Sequence, residues 1–152
     1  MKKIVTLTGS KNTPKIYIAS KLSENSDVAY IKPYTDKEDL SSAELEMEYH
    51  QVSVEEMDIL LQSDDLLSCT RINGNRWAYF KSQLTHAYNV LIVDDYGLCD
   101  LRDVYDNIYS IKVVSKNMKP SDRVGVYLYN HEFDEVFDYD TGDLYELEAR
   151  MV

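Results

Sequence analysis

Basic residues are scarce in this chain of 152: 16 lysines and arginines face 27 aspartates and glutamates, a formal net charge of −11. A surface that rests on nucleic acid needs the opposite balance, because phosphate backbones select basic stripes, so a nucleic-acid partner is not expected. Cysteine is scarce too. Cys69 and Cys99 stand far apart without metal-ligand spacing, which argues against a structural zinc. With no export signal, they read as reduced, buried thiols. No apolar run approaches the length that spans a bilayer, so no membrane partner is expected and the cytoplasm is the expected compartment. Internal repeats and low-complexity linkers are absent as well. What remains is a 44% hydrophobic sequence, enough for one globular domain with its own core.

The first motif also lacks something. A short apolar strand, Ile4 to Thr8, runs into Gly9-Ser10-Lys11-Asn12-Thr13-Pro14-Lys15-Ile16. On the phosphate-loop pattern G-x-x-x-x-G-K-[ST], Gly9 and Lys15 fall at the right spacing, whereas Pro14 replaces the second glycine and Ile16 the hydroxyl. Proline offers no N–H to a phosphate, and isoleucine cannot hold Mg²⁺. The same residues also suit an ordinary turn before a helix. Gly9, Ser10 and Lys15 are the candidates for residual phosphate binding at a helix N-terminus.

Further along, the spacing predicts a helix from about Pro14 to Leu22 and a short strand at Val28 to Ile31. A polar, acidic insertion, expected to lie exposed over the core, follows from Thr35 to Glu48. Ser53-Val54-Glu55-Glu56 has the form of a capping box opening a helix through Met57, Leu60 and Leu61. Leu66 to Ile72, the turn Asn73-Gly74, and Arg76 to Tyr79 read as a hairpin. Helices are expected from about Lys81 to Tyr88, from Leu98 to Asn107 and after Pro120. Val90 to Val93 is a continuous apolar run, as in a strand buried on both faces. Tyr109 to Val114 and Glu135 to Tyr139 complete the strands. Such alternation implies an open α/β sheet with ligands at the carboxyl ends of its strands, where Gly9 and Asp94-Asp95 both fall.

The order of these pieces resembles the guanylate kinase family, a branch of the P-loop nucleoside monophosphate kinases. Glu48-Tyr49-His50-Gln51-Val52-Ser53 with Glu55-Glu56-Met57 looks like that family's D-Y-H-F-V-S and E-E-F. Gly74-Asn75-Arg76-Trp77-Ala78 resembles G-N-Y-Y-G, Asn89 to Asp95 resembles D-V-L-L-D-I-D, and His131 to Tyr139 resembles the closing H-Y-D-E-F-D-Y. The resemblance spans nearly the whole chain. It implies a three-layer α/β P-loop kinase fold, a mostly parallel sheet flanked by helices. The core would take 1–30 and 80–152, and a small nucleotide-monophosphate-binding lobe 31–79.

It also assigns roles. Lys15 matches the loop lysine, Tyr49 a tyrosine that contacts the GMP phosphate, Asp95 the acidic residue at the strand end, and Arg123 a lid arginine. The family's phosphate-gripping arginine pair becomes Lys32 and Thr35, its guanine-reading glutamate becomes Ser68, and its second phosphate tyrosine becomes Trp77. A lysine cannot reproduce the planar fork of an arginine, and phosphoryl transfer consists almost wholly of positioning and charge neutralisation. The reading is therefore a catalytically degenerate guanylate-kinase-like protein that binds an unidentified protein partner. It would keep at most residual nucleotide binding and hold no metal, and no cofactor is assigned to it. The alternative is an active kinase for GMP, dGMP or another nucleoside monophosphate, using ATP and Mg²⁺ with Lys15, Asp95 and Arg123 as catalytic residues. A third is an acidic inhibitor imitating DNA, which 13 tyrosines and the negative charge would suit. The Lys/Asn/Tyr/Asp-rich composition suits a bacteriophage or other mobile element of an AT-rich host.

Overall fold

The computed structural model describes residues 2–10, 13–116 and 128–152. Nine strands and five helices follow in chain order among them. They are β1 (Lys3–Thr8), α1 (Lys15–Leu22), β2 (Val28–Tyr30), β3 (Tyr34–Thr35), α2 (Ser42–Met47), β4 (His50–Gln51) and α3 (Val54–Leu60). After them come β5 (Leu66–Ile72), β6 (Asn75–Phe80), β7 (Tyr88–Ile92), α4 (Asp95–Val104), β8 (Ile108–Val114), β9 (Glu135–Asp138) and α5 (Leu144–Met151). The helix expected after Pro120 lies outside the described residues. No described helix is long and apolar enough to cross a membrane.

Five strands form one parallel sheet in the order β2-β7-β1-β8-β9. Its central strand β1 is buried on both faces, and alternation along it feeds two cores. Val5 and Leu7 join Ile18, Leu22, Val90, Ile111, Leu147 and Met151 under α1 and α5. Ile4 joins Leu91, Val93, Leu98 and Leu101 under α4 on the other face. Because period-2 side chains need a cover on each side, a sheet this apolar must be sandwiched between helices. The result is the expected three-layer α/β architecture.

A second sheet, in the order β4-β3-β6-β5, is mixed: β3 and β4 run parallel, while β6 runs antiparallel to both β3 and β5. Its hairpin turns at Asn73 and Gly74, with φ of 51° and 82°. That double left-handed turn matches the twist of the strands and favours this residue pair. Met57, Ala78 and Phe80 form its own core beneath α3. Both short helices of this region open with complete capping boxes, Ser41 with Glu44 and Ser53 with Glu56.

Two local readings change. The expected helix from Lys81 to Tyr88 is a single 3-10 turn, Lys81–Gln83. Gln83 Nε2 donates to Lys32 O at 2.7 Å, and Asn89 Oδ1 accepts from the N–H groups of Thr85 and His86. These side-chain bonds take the backbone partners that a helix would use. The polar insertion is likewise not wholly a surface feature: Thr35 and Asp36 are buried. Asp36 receives Arg76 Nε at 2.7 Å and its backbone N–H at 2.8 Å, while Arg76 Nη1 reaches Asp58 at 2.6 Å.

Candidate functional site

Strands β1, β7 and β2 end on one edge of the parallel sheet, with Leu7 level with Ile92 and Tyr30 level with Val90. Gly9 turns the chain there, and its position has no room for a side chain. A Cβ would stand 2.6 Å from Thr13 Oγ1 and 2.7 Å from Val113 O. The close approach, not a left-handed φ, is what demands glycine. Thr13 then folds back, its Oγ1 donating to Ser10 O at 2.7 Å and its N–H to the same oxygen at 3.1 Å. Pro14 caps α1 without a side-chain bond.

Lys15 closes this loop on itself. Its Nζ donates to Gly9 O at 3.1 Å, Ser10 O at 2.7 Å and Thr13 Oγ1 at 3.0 Å. An ammonium has three N–H donors, and all three are spent. Burial lowers its pKa from 10.5 to about 8.

The loop forms one end of a cleft of about 600 Å³. Ile16, Tyr17, Tyr30, Ile92, Val93 and Asp94 line the sheet side, and Glu48, Tyr49, Ser68, Trp77 and Tyr79 line the facing wall. Tyr79 ties the two sheets together: its hydroxyl donates to Ile92 O at 3.0 Å and accepts from Ile92 N at 3.2 Å. Burial holds the phenols of Tyr30 and Tyr79 well above their ordinary pKa, so both stay neutral. The Tyr49 and Trp77 rings face each other at 6.3 Å between centroids, tilted by 59°. Among the described residues Lys15 is the only cation lining the cleft, and no arginine does.

A solved guanylate kinase from Anaplasma phagocytophilum superposes on the chain with a TM-score of 0.72, covering 99% of this chain and 82% of that one at 16% identity. The chain has a guanylate-kinase-like fold. No protein-family model matches the sequence, and no curated protein does.

On the guanylate-kinase fold, the candidates read from sequence separate into two groups. Gly9, Lys15, Tyr49, Ser68 and Trp77 meet in the cleft. Ser10 is buried behind the loop, and its Oγ has no partner among the described residues. Lys32 lies outside the cleft, with its Nζ donating to Glu46 O at 3.1 Å. Thr35, at the second arginine position, is buried and donates to Arg76 O at 2.9 Å. Asp95 is fully buried, and its Oδ2 accepts from Leu128 N at 2.8 Å. Asp94 lines the cleft instead, while capping α4 through Gly97 N at 2.7 Å. Arg123 lies outside the described residues.

ATP with Mg²⁺ does not fit these residues. The loop cation is satisfied by two loop carbonyls and the Thr13 hydroxyl, Ile16 stands where a hydroxyl is needed, and Asp94 and Asp95 each give one oxygen to a backbone N–H. Among the described residues no group of three His, Cys, Asp or Glu side chains is placed to hold a metal. Sequence reasoning missed Tyr30, Glu48 and Tyr79 as cleft residues. Tyr30 was open to discovery, because it ends a parallel strand on the ligand-binding edge. Nothing local marked Tyr79.

Proposed function

We propose that this protein is a guanylate-kinase-like module that binds a partner protein through its cleft and does not transfer phosphoryl groups. The observation that carries this is the commitment of all three Lys15 donors to Gly9, Ser10 and Thr13. A phosphate would have to break those bonds to gain the one described cation in the cleft. The arginines add to the case. Among the described arginines, Arg76 is held by Asp36 and Asp58, Arg102 by Ser110 and Glu132, and Arg150 by Glu135, while Arg71 does not line the cleft. Among the described residues the cleft offers a transferring group no arginine and no free lysine, and so lacks the electrostatic stabilisation that makes up most of phosphoryl-transfer catalysis.

What the cleft retains is an aromatic and aliphatic wall, the material of protein–protein hot spots. A mobile-element origin, which the composition suits, would make the partner a host protein, and a cytoplasmic setting follows from the same reading. A coupled assay with ATP, Mg²⁺ and every ribo- and deoxynucleoside monophosphate is expected to show no turnover above background. A rate of roughly 1–100 s⁻¹ for any of them, the kinase range, would overturn the proposal. Affinity capture should recover a partner with the wild type and lose it with Tyr49→Ala/Trp77→Ala.

A further inference from the structure

Glu48 is the least accounted-for charge in the cleft. It follows α2, lines the facing wall beside Tyr49, and has no ion-pair partner among the described residues. Burial first, and the Glu44 carboxylate second, push its pKa up, with no cation offsetting either. The two candidate counter-ions are occupied elsewhere: Lys15 by its own loop and Lys32 by Glu46 O. A carboxylate held partly out of water without a counter-ion is unfavourable, and an incoming cation would relieve it.

The surroundings of Glu48 suit such a cation. Tyr30, Glu48 and Tyr49 all line the same cleft, and the Glu48 charge reaches the Tyr30 phenol. Trp77 faces Tyr49 across 6.3 Å. Ring faces attract a cation within about 6 Å of the centroid, most strongly where water is thinned out. Asp94 adds a second carboxylate to the lining. The net charge of −11 draws cations from a distance.

Resting on the protein-binding reading above, we infer that the cleft receives an arginine or lysine side chain of the partner, seated on Tyr30, Tyr49 and Trp77 with Glu48 as counter-ion. The cleft volume, about 600 Å³, exceeds one amine and accommodates the neighbouring residues of a peptide. Such a site reverses the electrostatics of one built to hold a phosphate.

Trp77 is the only tryptophan, so its fluorescence reports on this wall alone. The probes are a capped Ala-Arg-Tyr-Ala peptide and its citrulline counterpart, which keeps the shape and removes the charge. The arginine peptide is expected to change Trp77 emission saturably and to bind about tenfold more tightly than the citrulline peptide. Glu48→Gln should erase that difference, whereas Asp64→Asn, at an exposed carboxylate outside the cleft, should preserve it; thermal melts confirm that both fold. Equal affinity for the two peptides, no saturation with either, or an unchanged preference in Glu48→Gln would overturn the cation site. Preference for a phosphoserine version would also overturn it, while leaving the protein-binding reading intact. That reading fails separately, on nucleotide turnover.

Discussion

A single residue type decides the shape of the loop at Gly9. Its Cβ position lies under 3 Å from Thr13 Oγ1 and from the Val113 carbonyl, and the carbonyl belongs to a packed strand that cannot yield. Gly9→Ala should therefore cost about 1–3 kcal/mol, as other overpacked sites do, measured by urea denaturation. Lys15 makes a different kind of prediction. Its folded pKa, about 8, lies below the ordinary 10.5, so the unfolded chain binds this proton more tightly. The cost of burying the charge is fully present below pH 8 and fades as pH rises toward 10.5. Relative to Lys15→Met, the wild type should gain about 2 kcal/mol of stability between pH 8 and pH 10. A pH-independent difference would show that the ammonium is not desolvated. Ile16→Thr should restore no phosphotransfer, because the missing hydroxyl is only one of the lost groups.

At the level of elements, short-range chemistry explains most of the small sheet and its helices. Ser53 accepts from Glu56 N at 3.0 Å, and Glu56 returns a bond to Ser53 N at 3.3 Å; this box was readable from four consecutive residues. Ser53→Ala should cost about 1 kcal/mol. Arg76 is a larger matter, and its role was not readable. Burial raises the pKa of Asp36, but hydrogen bonds from Arg76 and its charge more than offset this and leave it lowered. The stability that Asp36 provides is thus present above its unfolded pKa and is lost as pH falls through the lower folded value. Arg76→Met strands a buried carboxylate and should cost about 3–5 kcal/mol in a chemical melt. Restoring much of that loss with the double change Asp36→Asn/Arg76→Met would confirm the pairing as the cause.

The whole molecule carries an excess of negative charge over two sheets that share a core through α4. Self-repulsion of a chain at −11 should be screened by salt, so the melting temperature should rise between about 0.01 M and 0.15 M NaCl, where the Debye length falls from about 30 Å to about 8 Å. Tyr79 bonds the hairpin to the end of β7 in both directions. Tyr79→Phe should cost about 1–3 kcal/mol, since it leaves a buried Ile92 carbonyl to find another donor.

Local order was legible because its causes are local. Short apolar runs specified β1 and β7, a serine and a glutamate three residues apart specified the start of α3, and Asn73-Gly74 specified the hairpin turn; the same box at the start of α2 lay unread inside the acidic insertion. The spacing of Gly9 and Lys15 was equally plain in the chain. What Lys15 does there was not, because its partners, two backbone oxygens and the Thr13 hydroxyl, are brought round by the fold of the loop. The choice between Asp94 and Asp95 was likewise not local: Asp94, extended at the N-cap of α4, lines the cleft, whereas Asp95 opens the helix and its buried carboxylate accepts from Leu128 N. The cleft wall gathers Tyr30, Glu48, Tyr49, Trp77 and Tyr79 from β2, from the connection after α2, and from β6. Pairings across such separations are set by which sheets stack and in what register, and only the folded structure fixes those.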